Sequence, residues 1–222
     1  MRSLFDKELR ELKNDVSNMG TKVDRVVGDT IKALKDHDFV LARNIYENDH
    51  YINAMESNIE RQCFTLIALQ QPIATDLRRI TACMKVITDI ERIADQCADI
   101  CEIMMTNPNF HVKKTPSLIL RMLEKGREMY VDAIDSFVRE DMELAREVAQ
   151  ADDSVDEMFT KAVLELTQLL QNNYTHASEA TDYLFIAKYI ERIADHATNI
   201  AEWGAYQVTG EHKKINKDED ED

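Results

Sequence analysis

The hexapeptide Ile-Glu-Arg-Ile-Ala-Asp occurs twice in this chain, at 90–95 and again at 190–195. The likeness extends well beyond the hexapeptide. Asp29, Ile31, Leu34 and Asp38 recur as Asp132, Ile134, Phe137 and Asp141 at an offset of 103, and Leu-Ala-Arg at 41–43 recurs at 144–146. On the same offset Asp49 falls on Asp152. A length change of three residues in the second loop of each half then sets the offset to 100. An internal duplication is the simplest account. It constrains the fold more than any other feature, because the unit built by the first half must be built again by the second.

That unit is helical. Apolar residues recur with helical periodicity throughout, and 222 residues hold only five Gly and three Pro. Such a chain favours long helices over a sheet with many turns. The first break is Lys35 to Asp38. The second is Gln70 to Asp76, where Pro72 disfavours helix at Gln71 and removes a backbone donor. A third helix is expected from Thr75 to Thr106. Asn107 to Pro116 reads as a linker, with Thr115 as N-cap and Pro116 as first helical position. A fourth helix runs to Arg139 and a fifth from Met142 to Gln171. After the loop at 172–178, with Ser178 as N-cap, a sixth helix reaches Thr209. The expected organisation is a first three-helix repeat over 1–106, a linker over 107–115, a second repeat over 116–209 and a charged, disordered tail over 210–222. The fold class is therefore all-α, with two pseudo-symmetric antiparallel three-helix bundles.

The formal net charge is −15. Such a surface repels nucleic-acid phosphates and anionic lipid, so no nucleic-acid partner is expected. It suits cations and basic patches on proteins. No run of about 18 apolar residues is present, and the charged N-terminus lacks the apolar core of a signal peptide. Cys63, Cys83, Cys97 and Cys101 form no Cys-x-x-Cys pair, which fits a cytoplasmic protein with reduced thiols.

On a helical wheel Ile90, Ile93, Ala94, Cys97, Ile100 and Cys101 form a core face, as do Ile190, Ile193, Ala194, Ala197, Ile200 and Ala201. The alanines at 197 and 201 argue that Cys97 and Cys101 are small core residues rather than ligands. Glu91, Asp95, Asp99 and Glu102 form a neighbouring stripe, matched by Glu191, Asp195, Asn199 and Glu202. Arg92 and Arg192 are expected on a different sector. Like charges at i and i+4 destabilise a helix, so the stripe is either a plain solvated face or a site for cations. Asp152 and Asp156 repeat the i, i+4 spacing on the preceding helix and could face Glu191 and Asp195. In the first half, Asp49 and Asn53 would face Glu91 and Asp95. Converging carboxylates suit hard cations such as iron, manganese, magnesium or calcium. Asn53 supplies no charge, so the first site is expected to bind more weakly.

With both repeats and both acidic pairs in hand, the chain resembles the PhoU family of phosphate-uptake regulators. The matching stretches are 70–100 and 183–202, and the resemblance covers the chain up to its tail. It implies two three-helix bundles and E(D)xxxD motifs that in some members of the family hold multinuclear iron or zinc clusters. Carried over, the metal residues are Asp49, Asn53, Glu91, Asp95, Asp152, Asp156, Glu191 and Asp195. The resemblance also implies a non-enzymatic adaptor between the ATPase of a phosphate ABC transporter and a membrane sensor histidine kinase. It would restrain phosphate uptake and the phosphate-starvation response, and a homodimer is expected.

Two other readings stand beside this one. A carboxylate-bridged metal-binding bundle with redox or metal-storage activity would use Glu-x-x-His on facing helices. Glu47 and His50 fit that spacing once, but the repeat offers Gln150 and Asp153. A helical scaffold without metal is the other. No Gly-rich phosphate loop, dinucleotide fingerprint or nucleophile–base pair is present. His196 has Gln96 as its repeat partner, so no required imidazole is expected there.

Overall fold

The computed structural model describes residues 2–107, 110, 114–172, 177–211 and 215. Six helices follow one another: α1 (Arg2–Asp36), α2 (Phe39–Gln70), α3 (Ala74–Thr106), α4 (Ser117–Arg139), α5 (Met142–Asn172) and α6 (Ala177–Thr209). Most of the expected tail and of the two longer loops falls outside the described residues. No strand occurs among the described residues, and no helix among them is long and apolar enough to cross a membrane.

The first helix shows why the bundles form. Phe5, Leu9, Leu12, Val16, Met19 and Val23 alternate in steps of four and three, and all six are buried. That is the seam of a left-handed helical bundle. Thr30 interrupts the apolar seam, fully buried, and its hydroxyl donates to the Val26 carbonyl at 2.8 Å.

The duplication extends to the corners. His37 ends α1 in the left-handed region at φ 54°, and Glu140 does the same after α4 at φ 58°. Each is followed by a capping aspartate. Asp38 accepts from the amides of Val40 and Leu41, and Asp141 accepts from those of Glu143 and Leu144. Each cap satisfies helix-end donors that otherwise lack partners.

Two expected caps are corrected. Thr115 does not cap α4; its buried hydroxyl donates instead to the Leu34 carbonyl near the end of α1, at 2.6 Å. Pro116 holds the cap position, and no side chain caps the helix. A tertiary acceptor has taken the hydroxyl that local spacing assigned to the helix end. Ser178 lies inside α6, which begins at Ala177.

Helices α1 to α3 form one bundle and α4 to α6 the other. They join through α3 on α6 and α1 on α4, leaving α2 and α5 on the outside. One continuous hydrophobic cluster runs through both bundles. Polar contacts fix the α1–α4 register. Arg127 clamps Asp24 through Nε at 2.7 Å and Nη2 at 3.1 Å, and the buried Tyr130 hydroxyl donates to the Gly20 carbonyl at 2.9 Å. α6 meets α4 at Gly204, where a Cβ would come within 3.3 Å of the Phe137 Cα.

Candidate metal centres

The two hexapeptides sit near the middle of α3 and α6, the helices that join the bundles. Ile90, Ile93, Ile190 and Ile193 are fully buried. Their glutamates and aspartates turn toward the outer helices instead. In the first repeat, α2 runs back along α3 and brings Asp49 and Asn53 beside Glu91 and Asp95. The Asn53 amide donates to Asp49 Oδ2 at 3.1 Å. Asp49 Oδ1 and Asn53 Oδ1 are both buried without a hydrogen-bond partner. Two oxygen acceptors one turn apart on α2 are thus left without a donor.

The charges respond to this crowding. Burial raises the carboxyls of Asp49, Glu91 and Asp95 above the usual carboxylate range; Asp95 raises Glu91 further, and Asp49 raises Asp95. Glu56 joins the group from α2: it raises Glu91 further and accepts from the Thr88 hydroxyl on α3 at 3.5 Å. Arg92 is placed differently from expectation. Its guanidinium lies 3.7 Å from Glu91 and 3.6 Å from Asp95, so it leans over the acidic stripe. Its long side chain reaches past the sector that its Cα occupies.

The second repeat repeats the arrangement with more charge. Asp152 and Asp156 on α5 stand beside Glu191 and Asp195 on α6. The Asp152 carboxyl is pushed up to about 6, first by burial and then by Asp195, Asp156, Asp153 and Glu191. Asp156 and Asp195 are raised by burial and then by Glu191. Lys188 partly offsets them through an ion pair with Glu191. Sequence reasoning missed Lys188 and Asp153. Lys188 stands one turn before Glu191, so i, i+3 spacing could have found it.

The lower end of the stripe divides. Glu102 accepts from the Tyr46 hydroxyl at 3.3 Å, whereas Glu202 is buried. Asn199 faces the α3–α6 seam and donates to Asp89 Oδ1 at 3.3 Å. His196 faces the same carboxylate, with Nδ1 at 2.8 Å from Asp89 Oδ1. The repeat comparison discounted His196, yet it joins the two bundles. Asp89 has Tyr189 as its repeat partner, so no periodicity could have revealed this contact.

By chemical type, the donors of both clefts are those of a cation that prefers oxygen ligands. The donors are carboxylates and an amide, and mutual repulsion makes positive charge favourable between them. Zinc commonly prefers sulfur and nitrogen, and the thiols are not available: all four cysteines are buried, with Cys63, Cys83 and Cys101 pushed up to about 12 by burial. As placed, the carboxylates stand apart. Among the described residues no three His, Cys, Asp or Glu side chains gather closely enough to hold a metal ion. Glu47 and His50, the Glu-x-x-His match, are exposed; the His50 ring packs on Tyr51 and contacts the Glu47 carbonyl.

The sequence matches the PhoU domain over residues 16–104 and again over 119–204. It is 34% identical to the phosphate-specific transport system accessory protein PhoU homolog of Clostridium acetobutylicum, over 97% of this chain and 99% of that protein. It is also 34% identical to the phosphate-specific transport system accessory protein PhoU of Escherichia coli K12, over 93% of this chain and 86% of that protein. Two crystal structures share the fold. PhoU from Pseudomonas aeruginosa superposes with a TM-score of 0.88 at 33% identity, covering 93% of this chain and 100% of that one. The phosphate transport system regulatory protein PhoU from Streptococcus pneumoniae superposes with a TM-score of 0.88 at 29% identity, covering 94% and 99%.

Proposed function

This chain belongs to the PhoU family, and on that premise we propose that it is a non-enzymatic accessory protein of a phosphate-specific transport system. It acts in the cytoplasm as an adaptor. It docks on the ATPase of a phosphate ABC transporter and on a sensor histidine kinase, and it restrains uptake when phosphate is plentiful. Metal ions held by Asp49, Asn53, Glu91 and Asp95 in one repeat, and by Asp152, Asp156, Glu191 and Asp195 in the other, complete its docking faces.

One observation carries this reading. Each repeat gathers carboxylates with raised affinity for protons in a half-buried cleft on its outer helix pair. A folded chain keeps such repulsion when the cluster has a cation or a basic surface to meet. Iron fits the all-oxygen donor set better than zinc. The second cleft, with four carboxylates, binds more tightly than the first, where Asn53 stands.

The experiment is complementation of a deletion strain with the Glu191→Ala, Asp195→Ala variant. Phosphate uptake and a phosphate-starvation reporter are read together, with elemental analysis of protein purified without chelator. Loss of metal and loss of repression together support the reading. Full repression by a stably folded, metal-free variant overturns the metal role. Retention of transporter ATPase from lysate should fall as salt rises, because a docking face of exposed carboxylates is screened.

A further inference from the structure

The seam between α3 and α6 carries polar residues that the carboxylate pairs do not use. A cavity of about 570 Å3 opens there. Arg92 and Gln96 line it from α3, and Arg192, His196 and Thr198 from α6. Asp152 on α5 and Asp195 on α6 form the wall nearest the second carboxylate cleft.

The lining lacks hydrogen-bond donors and positive charge. Gln96 is only 6% exposed, and its Oε1 is buried with no hydrogen-bond partner. Thr198 Oγ1, in the same wall, is also buried without a partner. Buried polar atoms of this kind normally find one. The charges agree. Asp152, Asp195 and Glu202 outnumber Arg92 and Arg192, so the lining is net negative. Both arginines also face carboxylates of the first repeat: Arg92 lies 3.6 Å from Asp95, and Arg192 lowers the Asp99 carboxyl. Asp152 has no such relief, because every charge that shifts it is another carboxylate.

These demands select the ligand. Asp152, Asp195 and Gln96 Oε1 all accept, and a guanidinium offers five N–H donors with no acceptor. It also spans a gap that a metal ion cannot. A metal draws its oxygens to within about 2.0–2.6 Å of one centre, and no three His, Cys, Asp or Glu side chains among the described residues gather that closely. A guanidinium reaches about 2.7–2.9 Å outward from nitrogens on separate edges, so carboxylates that stand apart still hold it. An ammonium is a compact, strongly hydrated point charge and bridges less. Arginine is also the cation that protein interfaces favour at their desolvated centres.

We propose that the cavity at the α3–α6 seam seats an arginine side chain of a partner protein, its guanidinium between Asp152, Asp195 and Gln96 Oε1. This rests on the adaptor reading and needs no metal. The partner's arginine then bridges the joint between the bundles, because Gln96 belongs to α3 and the two aspartates to α5 and α6.

N-acetyl-arginine methylamide, titrated into the full chain in chelator, tests the seat by NMR of the Gln96 side-chain amide and the His196 ring. Both should shift saturably. Binding should be roughly tenfold tighter than for the citrulline analogue, which keeps the shape without the charge. D152N relieves repulsion and so should fold, yet it should weaken the arginine probe roughly tenfold. R192Q, at an exposed position, removes a competing cation and should tighten it. Equal binding of the two analogues, or an arginine probe unaffected by D152N or weakened by R192Q, overturns the inference. A second arm reads retention of transporter ATPase from lysate. The arginine probe should release it, and the citrulline analogue at matched ionic strength should not. Retention that the arginine probe leaves intact overturns the arginine seat and leaves the adaptor reading standing. Absence of retention without either probe overturns both.

Discussion

Burial and the neighbouring carboxylates push the Asp152 carboxyl up to about 6, above the ordinary aspartate range. A raised carboxyl favours the folded chain when protonated. Its contribution is therefore complete below about pH 4 and is lost as pH rises through 6. Asp49, Glu91, Asp95, Asp156 and Asp195 shift the same way, while Glu140, pulled down by Lys13 and Arg79, shifts oppositely. The metal-free chain should melt at progressively lower temperature from pH 5 to pH 7 in chelator; a flat or rising melting temperature would contradict the clustering. Divalent metal should reverse the trend, since it binds the ionised form. Asp152→Asn should stabilise the metal-free chain at pH 7 by on the order of 1 kcal/mol, screening included, and abolish metal retention by the second cleft. Within the same hexapeptide the isoleucines behave differently. Ile193→Ala should cost about 2–5 kcal/mol whether or not metal is present, because it empties a fully buried site. Chemical denaturation of both variants separates the two roles.

At the scale of elements, each corner joins a left-handed residue to a capping aspartate. Asp38→Ala and Asp141→Ala should each cost about 1 kcal/mol, nearly equally, because the two caps make the same pair of amide bonds. A large difference in denaturation midpoint between them would show that the corners are not equivalent. The α4–α6 contact is more demanding. Gly204→Val should destabilise by about 1–3 kcal/mol, because its branched side chain would meet the Phe137 backbone rather than a side chain able to rotate away. Helix number and most boundaries were legible beforehand, since Pro72 and the charged corners interrupt otherwise unbroken periodicity. The exceptions were helix starts. Thr115 had the identity and position of a cap, but a carbonyl on α1 competed for its hydroxyl. Local spacing carries no record of such a competitor.

For the whole molecule, one hydrophobic cluster spans both bundles, and α3 on α6 lies at its centre. The chain should therefore unfold in a single cooperative transition by calorimetry, despite its duplicated sequence. Two resolved transitions would mean that each repeat is stable alone. The same central pairing sets the outer helices apart. α2 and α5 each carry one half of a carboxylate cleft, so the clefts face outward on the two bundles, where a partner protein can reach them.

The amino-acid sequence by itself determined six helices, their duplication, the buried face of each hexapeptide and the carboxylates at i, i+4 spacing. These follow from periodicities of a few residues along one helix, which any single sequence displays. Only the tertiary structure decided how the charges are balanced and where the bundles meet. Asp49 and Asp152 crowd the hexapeptide carboxylates from the outer helices, and Asp89 holds His196 and Asn199 across the seam. Such contacts depend on side-chain reach and on the packing of helices distant in sequence, and the repeat does not preserve those of Asp89. The duplication therefore reveals what both halves share, whereas the hydrogen bonds of Asp89 across the seam come from positions in which they differ.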